Sequence, residues 1–502
     1  MKLLIAISLL TILILTACGN RYDPSDKWFG GTGTGLPADV PGPPPILPIP
    51  PSPVPVNAEA RECSGLTGDL HIFSPGTHER SIRFYIAQFT YLHPNVNITV
   101  EAPDEDEHWH VASMGDQMAL NTRLMTTPAD IFIPPGGANF EKMAMDGLFV
   151  DLNSFIRGPR GIDLDNYFTN VLEAARQQGG LFIVPLHVSP FDAMLALNIE
   201  MFESIGIDAR EIEAVTIDQL LAYYLLIREA NPAANIVLSD RFSLMYLLTE
   251  SAVYDVDTLT VNVNTPEMTA RFRQAMDMRM GMDVFFNPNN WESVVHMFGL
   301  GHSVRFLNLS HAVYTASFHA FNDLALFFAA GHPHMQFTPV RRTSSDGYVR
   351  FETSFLPYNF AIMQGSANQD LAWEFIRFML EFDEIRPRAP GTLAVSTAFP
   401  VNRARFNVQV HNYISINYRD IAEVMNLDAI IDVGETHRED SIAAAFEFFY
   451  DMMNSFNRQV RHSDAVFNSL VYPDIWLLHT GRQTVEQALA SIQNRLELYV
   501  HE

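Results

Sequence analysis

The sequence predicts an α/β protein, with mainly parallel sheets covered by helices, and three observations carry that prediction. From Asp69 onward, short apolar or alternating segments are separated by segments with helical periodicity. The chain closes on a long amphipathic stretch that reads as a docked helix. With 502 residues, 48% of them hydrophobic, it can fill one large core or two ordinary ones.

The first segment decides the compartment. Lys2 supplies a positive start, and Leu3 to Leu15 is apolar except for Ser8 and Thr11, the layout of a secretory signal. At 1.5 Å per residue this run reaches only about 20 Å, short of the ~30 Å a spanning helix must cross. It ends in Leu15-Thr16-Ala17-Cys18, which resembles the lipobox of bacterial lipoproteins and implies lipidation of Cys18. Two or more acyl chains would give durable anchoring. The only other cysteine, Cys63, would then lack an intrachain partner, so no disulfide framework is expected.

A tether follows. Gly30-Gly31-Thr32-Gly33-Thr34-Gly35 precedes ten prolines between Pro37 and Pro55. Proline at this density favours extended polyproline II at about 3.1 Å per residue, so the segment reads as a spacer on the order of 60 Å long.

In the folded body, Leu70 to Phe73 reads as a strand. Ile82, Tyr85, Ile86 and Phe89 then recur at helical spacing, with Thr77 a candidate cap. Val96, Ile98 and Val100 alternate with Asn97 and Thr99, as a strand does, and Met114, Met118 and Met125 mark a second helix. Asp130-Ile131-Phe132-Ile133 gives a third strand before Pro134-Pro135-Gly136-Gly137. Leu371 to Phe378 is an aromatic-rich helix that reads as core. At the end, Thr484-Val485-Glu486-Gln487 has capping-box spacing, and Val485, Leu489, Ile492, Leu496 and Tyr499 make one apolar stripe.

Charge narrows the partners. The formal net charge of −26 excludes a nucleic-acid surface, which needs a basic face. The run Asp104-Glu105-Asp106-Glu107 reads as a solvated loop. The clusters Glu107-His108-Trp109-His110 and His332-Pro333-His334 fall short of the three or four converging ligands a zinc site needs, so no metal and no cofactor are expected. The chain has no His-Glu-x-x-His helix, Gly-x-Ser-x-Gly elbow or phosphate-binding Gly-x-x-x-x-Gly-Lys loop, and the reading is of a protein that is not an enzyme.

Several separated blocks, in one order, resemble the bacterial extracellular solute-binding protein family 1, the sugar-type substrate-binding lipoproteins of ABC importers. They are Phe84 to Phe89 with His93 to Ile98; Asp146-Gly147-Leu148-Phe149-Val150-Asp151-Leu152; Leu181-Phe182-Ile183-Val184-Pro185-Leu186; and Phe202 to Asp208. The helix at Ala372 to Phe378, Phe399-Pro400-Val401-Asn402-Arg403, and Thr484 to Tyr499 complete the set. Where the family commonly has glycine and Ala-Met, this chain has Ser310-His311-Ala312-Val313-Tyr314, with His319 in place of a following aromatic residue.

The resemblance implies a two-lobed, periplasmic-binding-protein-like class II fold, each lobe a mainly parallel sheet flanked by helices, joined by a multi-strand hinge. The corresponding division is 1–17 signal peptide, 18–66 lipid-anchored linker, 67–186 first lobe and 187–311 second lobe. It continues with 312–356 as a return to the first lobe and 357–502 as the rest of the second. Crossovers are expected near Val184 to Pro190, Ala312 to His319 and Phe355 to Phe360. Hinge closure would trap a small solute, a sugar by the resemblance, between the lobes and present it to an ABC permease. The protein would be a monomer on the outer face of the cell membrane or in the periplasm, held by its lipid anchor.

A sugar-binding cleft needs aromatic stacking faces and hydrogen-bonding groups on both walls. Loops at suitable strand ends supply Ser74, Thr77 and His78; Asn139; Phe191 and Asp192; Trp291; Ser317 and His319; and Tyr358 and Asn359. Two other functions fit the same ends: a lipoprotein presenting ligand to a sensor kinase, and a secreted hydrolase of envelope polymers.

Overall fold

Two five-stranded sheets organise the computed structural model, which describes residues 65–75, 79–102, 111, 113–126, 128–188, 194–232, 234–237, 253–255, 258–277, 312–316, 337–343, 347, 349–351, 359–381, 399–408, 446–459 and 466–501. The strands used below are β1 (Gly68–Phe73), β2 (Val96–Glu101), β3 (Ile131–Phe132), β4 (Val184–Pro185), β5 (His187–Val188), β6 (Met194–Asn198) and β7 (Ala214–Thr216). After these come β8 (Asn235–Val237), β9 (Ala312–Ala316), β10 (Phe337–Thr343), β11 (Arg350–Phe351), β12 (Asn359–Ile362), β13 (Phe399–Pro400) and β14 (Arg458–Gln459). The helices that matter below are α1 (Glu79–Leu92), α2 (Met114–Thr126), α3 (Phe140–Met145), α4 (Ile217–Ala230), α5 (Pro266–Asp277), α6 (Gln369–Glu381), α7 (Tyr472–His479) and α8 (Val485–His501).

The first sheet has the order β2-β1-β3-β12-β4, and only β12 runs against its neighbours. Its local rules are those of the sequence. In β2, Val96 is buried and Asn97 exposed. Ile82, Tyr85 and Phe89 of α1 turn one buried stripe toward the sheet. Gly68 opens β1 at φ +139, and a Cβ there would meet Leu371 of α6 at 3.1 Å, so both conformation and space require glycine. In α2 the buried face is Gln117, Leu120 and Leu124, while Met118 and Met125 are exposed. Its methionines therefore mark the helix but not its buried side.

The Asp146 to Leu152 block has a physical reason for its pattern. Gly147 takes φ +74 to turn the chain out of α3. The Asp151 carboxylate then accepts the backbone N–H groups of Asn153 and Leu181 at 3.0 and 2.9 Å, tying two loops together. Burial alone would raise the Asp151 pKa, but those donors, the Asn153 side chain and Arg176 hold it below its ordinary value.

The second sheet has the order β7-β10-β6-β9-β8. Its core takes Phe202, Leu220, Leu221, Ile227 and Phe272 from the elements between β6 and α5, and Leu489, Ile492 and Leu496 from α8. The predicted box at Thr484 forms: Gln487 N–H donates to Thr484 Oγ1 at 3.3 Å and Thr484 N–H to Gln487 Oε1 at 3.0 Å.

The division of the chain differs from the expectation in two places. The segment 312–356, expected in the first lobe, supplies β9 and β10, which pair with β6 in the second sheet. The segment 357–502, expected in the second lobe, begins with β12, the strand between β3 and β4 of the first sheet, and continues with α6, whose Trp373, Phe375 and Ile376 fill the first core. All four residues of β12 are buried, so the strand needs neighbours on both sides; which sheet supplies them is a long-range matter that no local pattern encodes.

Among the described residues, the chain changes cores three times. It passes from Val188 in the first core to β6, from β10 back to Val349, and from Phe456 to Val466. The first change, expected near Val184 to Pro190, falls between Val188 and β6. The one expected at Ala312 to His319 falls where β9 is already part of the second sheet, and the one at Phe355 to Phe360 occurs earlier, between Thr343 and Val349. The flanks of the second and third changes lie side by side: β11 pairs with β14, and Val349 N–H donates to Asn457 Oδ1 at 2.9 Å.

Candidate functional site

Each sheet directs most of its carboxyl ends toward the edge from which the chain leaves for the other sheet. In the first sheet, Ser74 follows β1, and its N–H donates to Glu101 O at 2.8 Å, while Ile133 N–H donates to Phe73 O at 3.0 Å. The antiparallel register Ala361 with Phe132 brings Asn359, the first residue of β12, to the same edge, and Asn359 pairs there with Pro185 at the end of β4. Ser74, Asn139 and Asn359, three of the residues singled out by sequence, thus share one edge.

In the second sheet the first residues of β6 lie against the last residues of β10 and β9, in the pairs Met194 with Arg341 and Leu195 with Ala316. Thr343 pairs with Thr216 and Thr315 with Val237, so four strands, β7, β8, β9 and β10, end at the edge where β6 enters. Open α/β sheets bind ligands beyond carboxyl ends of this kind.

A column of phenyl rings stiffens the first edge. Phe73 stacks on Phe132 with centroids 5.9 Å apart, Phe132 on Phe149 at 5.8 Å, and Phe149 on Phe140 at 4.9 Å. Ser74 and Asn139 are the chain neighbours of the two outer rings. Asn139 is fixed further: its Oδ1 accepts the N–H of Lys142 at 3.1 Å, capping α3, and its own N–H donates to Gln117 Oε1 at 2.6 Å. Two polar groups at this edge are buried without a hydrogen-bond partner, the Ser74 hydroxyl and the Asn139 Nδ2 amide. A buried unsatisfied group costs stability, so such groups in a native fold call for an explanation, and one explanation is a ligand.

Behind the edge, β5 carries His187 into the first core. Burial, then the nearby Arg405 guanidinium, keep its imidazole well below its ordinary pKa, so it is neutral. Arg405 is itself buried and donates to Met379 O at 2.7 Å. Nearby, Tyr167 is pushed up to about 12, chiefly by burial.

Thr77, His78, Phe191, Asp192, Trp291, Ser317, His319 and Tyr358 lie outside the described residues, as do Cys18, the tether and both histidine clusters. Among the described residues, no group of three or more His, Cys, Asp or Glu side chains is placed to hold a metal ion, and no helix is long and apolar enough to cross a membrane. Sequence reasoning missed two residues here. Gln117 orients Asn139 from α2, and its burial at a position between two methionines leaves no local signal. Ser469 reaches across to Met114 at 3.1 Å, a pairing of residues 355 positions apart.

The two sheets, and the chain passages that join them among the described residues, match the two-lobed α/β architecture of the periplasmic binding proteins. No protein-family model matches the chain. No curated protein matches it either. Solved structures do. An extracellular solute-binding protein family 1 member from Alicyclobacillus acidocaldarius aligns over 87% of this chain and 99% of its own, at 12% identity and a TM-score of 0.50. The sugar-binding protein MalE from Xanthomonas citri aligns over 86% and 98%, at 12% identity and a TM-score of 0.51. The chain therefore shares the fold of these binding proteins.

Proposed function

We propose that this protein is the substrate-binding lipoprotein of an ABC importer, that it captures a carbohydrate between the carboxyl edges of its two sheets, and that it does not catalyse a reaction. The observation that supports the reading is that, in each sheet, most carboxyl ends lie on the side from which the chain passes to the other, in a fold shared with a sugar-binding protein. Ser74 and Asn139 support it, because a sugar's rim of hydroxyls would satisfy the buried Oγ and Nδ2. Thr77, His78, Phe191, Asp192, Trp291, Ser317, His319, Tyr358 and Asn359 are the further proposed contacts. Lipidation at Cys18, with the proline-rich spacer, would hold the monomer on the outward-facing side of the cell membrane beside its permease.

Isothermal titration against oligosaccharides, peptides and polyamines tests the reading. Saturable binding of a carbohydrate is expected, and Ser74→Ala should weaken it about two- to tenfold, the worth of one hydrogen bond. Binding of only peptides or polyamines, or of nothing in the panel, would refute it.

A further inference from the structure

The helix α2 opens with backbone N–H groups that have no partner inside the helix, as every helix does. Ser113 deals with one of them, its Oγ accepting from Asp116 N–H at 3.2 Å. Another is satisfied from the other lobe: Met114 N–H donates to Ser469 Oγ at 3.1 Å. Ser469 follows the third passage between lobes and lies in the π-helical turn Phe467–Val471, whose Phe467 and Val471 are buried in the second core.

Two further observations put first-lobe and second-lobe groups together at this place. Met114 packs against the apolar cluster around Phe73 and Phe132 and also against the second core. Tyr499 of α8 has a buried hydroxyl without a hydrogen-bond partner, and its pKa is raised first by burial and then by the carboxylates of Glu141 and Asp146 at the two ends of α3.

We propose that the bond from Met114 to Ser469 is a latch between the lobes, one that sets their arrangement in the ligand-free protein. When the lobes move apart, the Met114 N–H loses Ser469 and bonds to water instead. Ser469 sits in a π-helical turn, a kind of turn common at functional sites, and here that turn adjoins a passage between lobes.

The inference rests on the two-lobed fold and needs no carbohydrate, so it is tested on the ligand-free protein. Hydrogen exchange at the Met114 amide and small-angle scattering are compared for the wild type, Ser469→Ala and Ser469→Thr. Ser469→Ala should speed Met114 exchange and shift the balance of lobe arrangements, each about two- to tenfold, with a changed radius of gyration. Ser469→Thr keeps the hydroxyl and should behave as wild type. An unchanged radius in Ser469→Ala overturns the latch, whether or not Met114 exchange rises, because the serine would then only dress a helix end. Failure of every sugar to bind would leave this result untouched.

Discussion

His187 stands on the strand by which the chain leaves the first core, and there its protonation is costly. Its imidazole is neutral because burial, and then the Arg405 charge, oppose a second proton, whereas in the unfolded chain it titrates at the ordinary value of 6.5. The unfolded state therefore binds more protons below that value. Stability is complete above pH 6.5 and declines as pH falls toward the lowered folded pKa, by up to about 1.4 kcal/mol per pH unit. His93 and His479 are shifted in the same direction, chiefly by burial, and add to the decline. His187→Gln should make the loss of thermal stability between pH 7 and 5.5 visibly shallower without abolishing it. Equal slopes in wild type and variant would show that another group carries the acid sensitivity. At this scale the sequence spoke unevenly. Ser74, Asn139 and Asn359 were readable because a strand end names its own neighbours, while the burial of His187 against Arg405 joins segments that share no local pattern.

Helices were the most readable elements, since their periodicity and caps are local. The terminal stripe Val485, Leu489, Ile492, Leu496 and Tyr499 is buried as its spacing predicts, and both bonds of the Thr484 box are present. Thr484→Ala removes the acceptor of the Gln487 N–H, and loss of a threonine cap costs about 1 kcal/mol. The effect should appear as faster hydrogen exchange in the first turn of α8, with its middle, anchored by Leu489 and Ile492, much less affected. Uniform acceleration along α8 would mean that the cap holds the whole helix rather than its end. The methionines of α2 mark the limit of such reading. They announce a helix, but its buried side is chosen by Gln117, Leu120 and Leu124 against neighbours distant in sequence.

Membership of a lobe belongs to the whole molecule, and there the sequence could not decide. An apolar strand such as β12 fits the centre of either sheet by composition; only pairing with β3 and β4 assigns it, and α6 follows it onto the first core. Phe375 tests that assignment. Its side chain is fully buried, and its ring meets Phe89 of α1 edge-on, with centroids 5.2 Å apart. Phe375→Ala removes a buried ring and should cost about 3–5 kcal/mol, borne by the lobe that holds the cavity. Hydrogen exchange mapped along the chain should therefore show lost protection in β1, at Ile72 and Phe73, and in α1 around Phe89. The amides of β6 and the middle of α8 should keep theirs, because their side chains pack in a separate core. If protection were lost instead in β6 and α8, then residues 357–502 would be one unit with the second lobe, and the edge shared by Ser74, Asn139 and Asn359 would not exist.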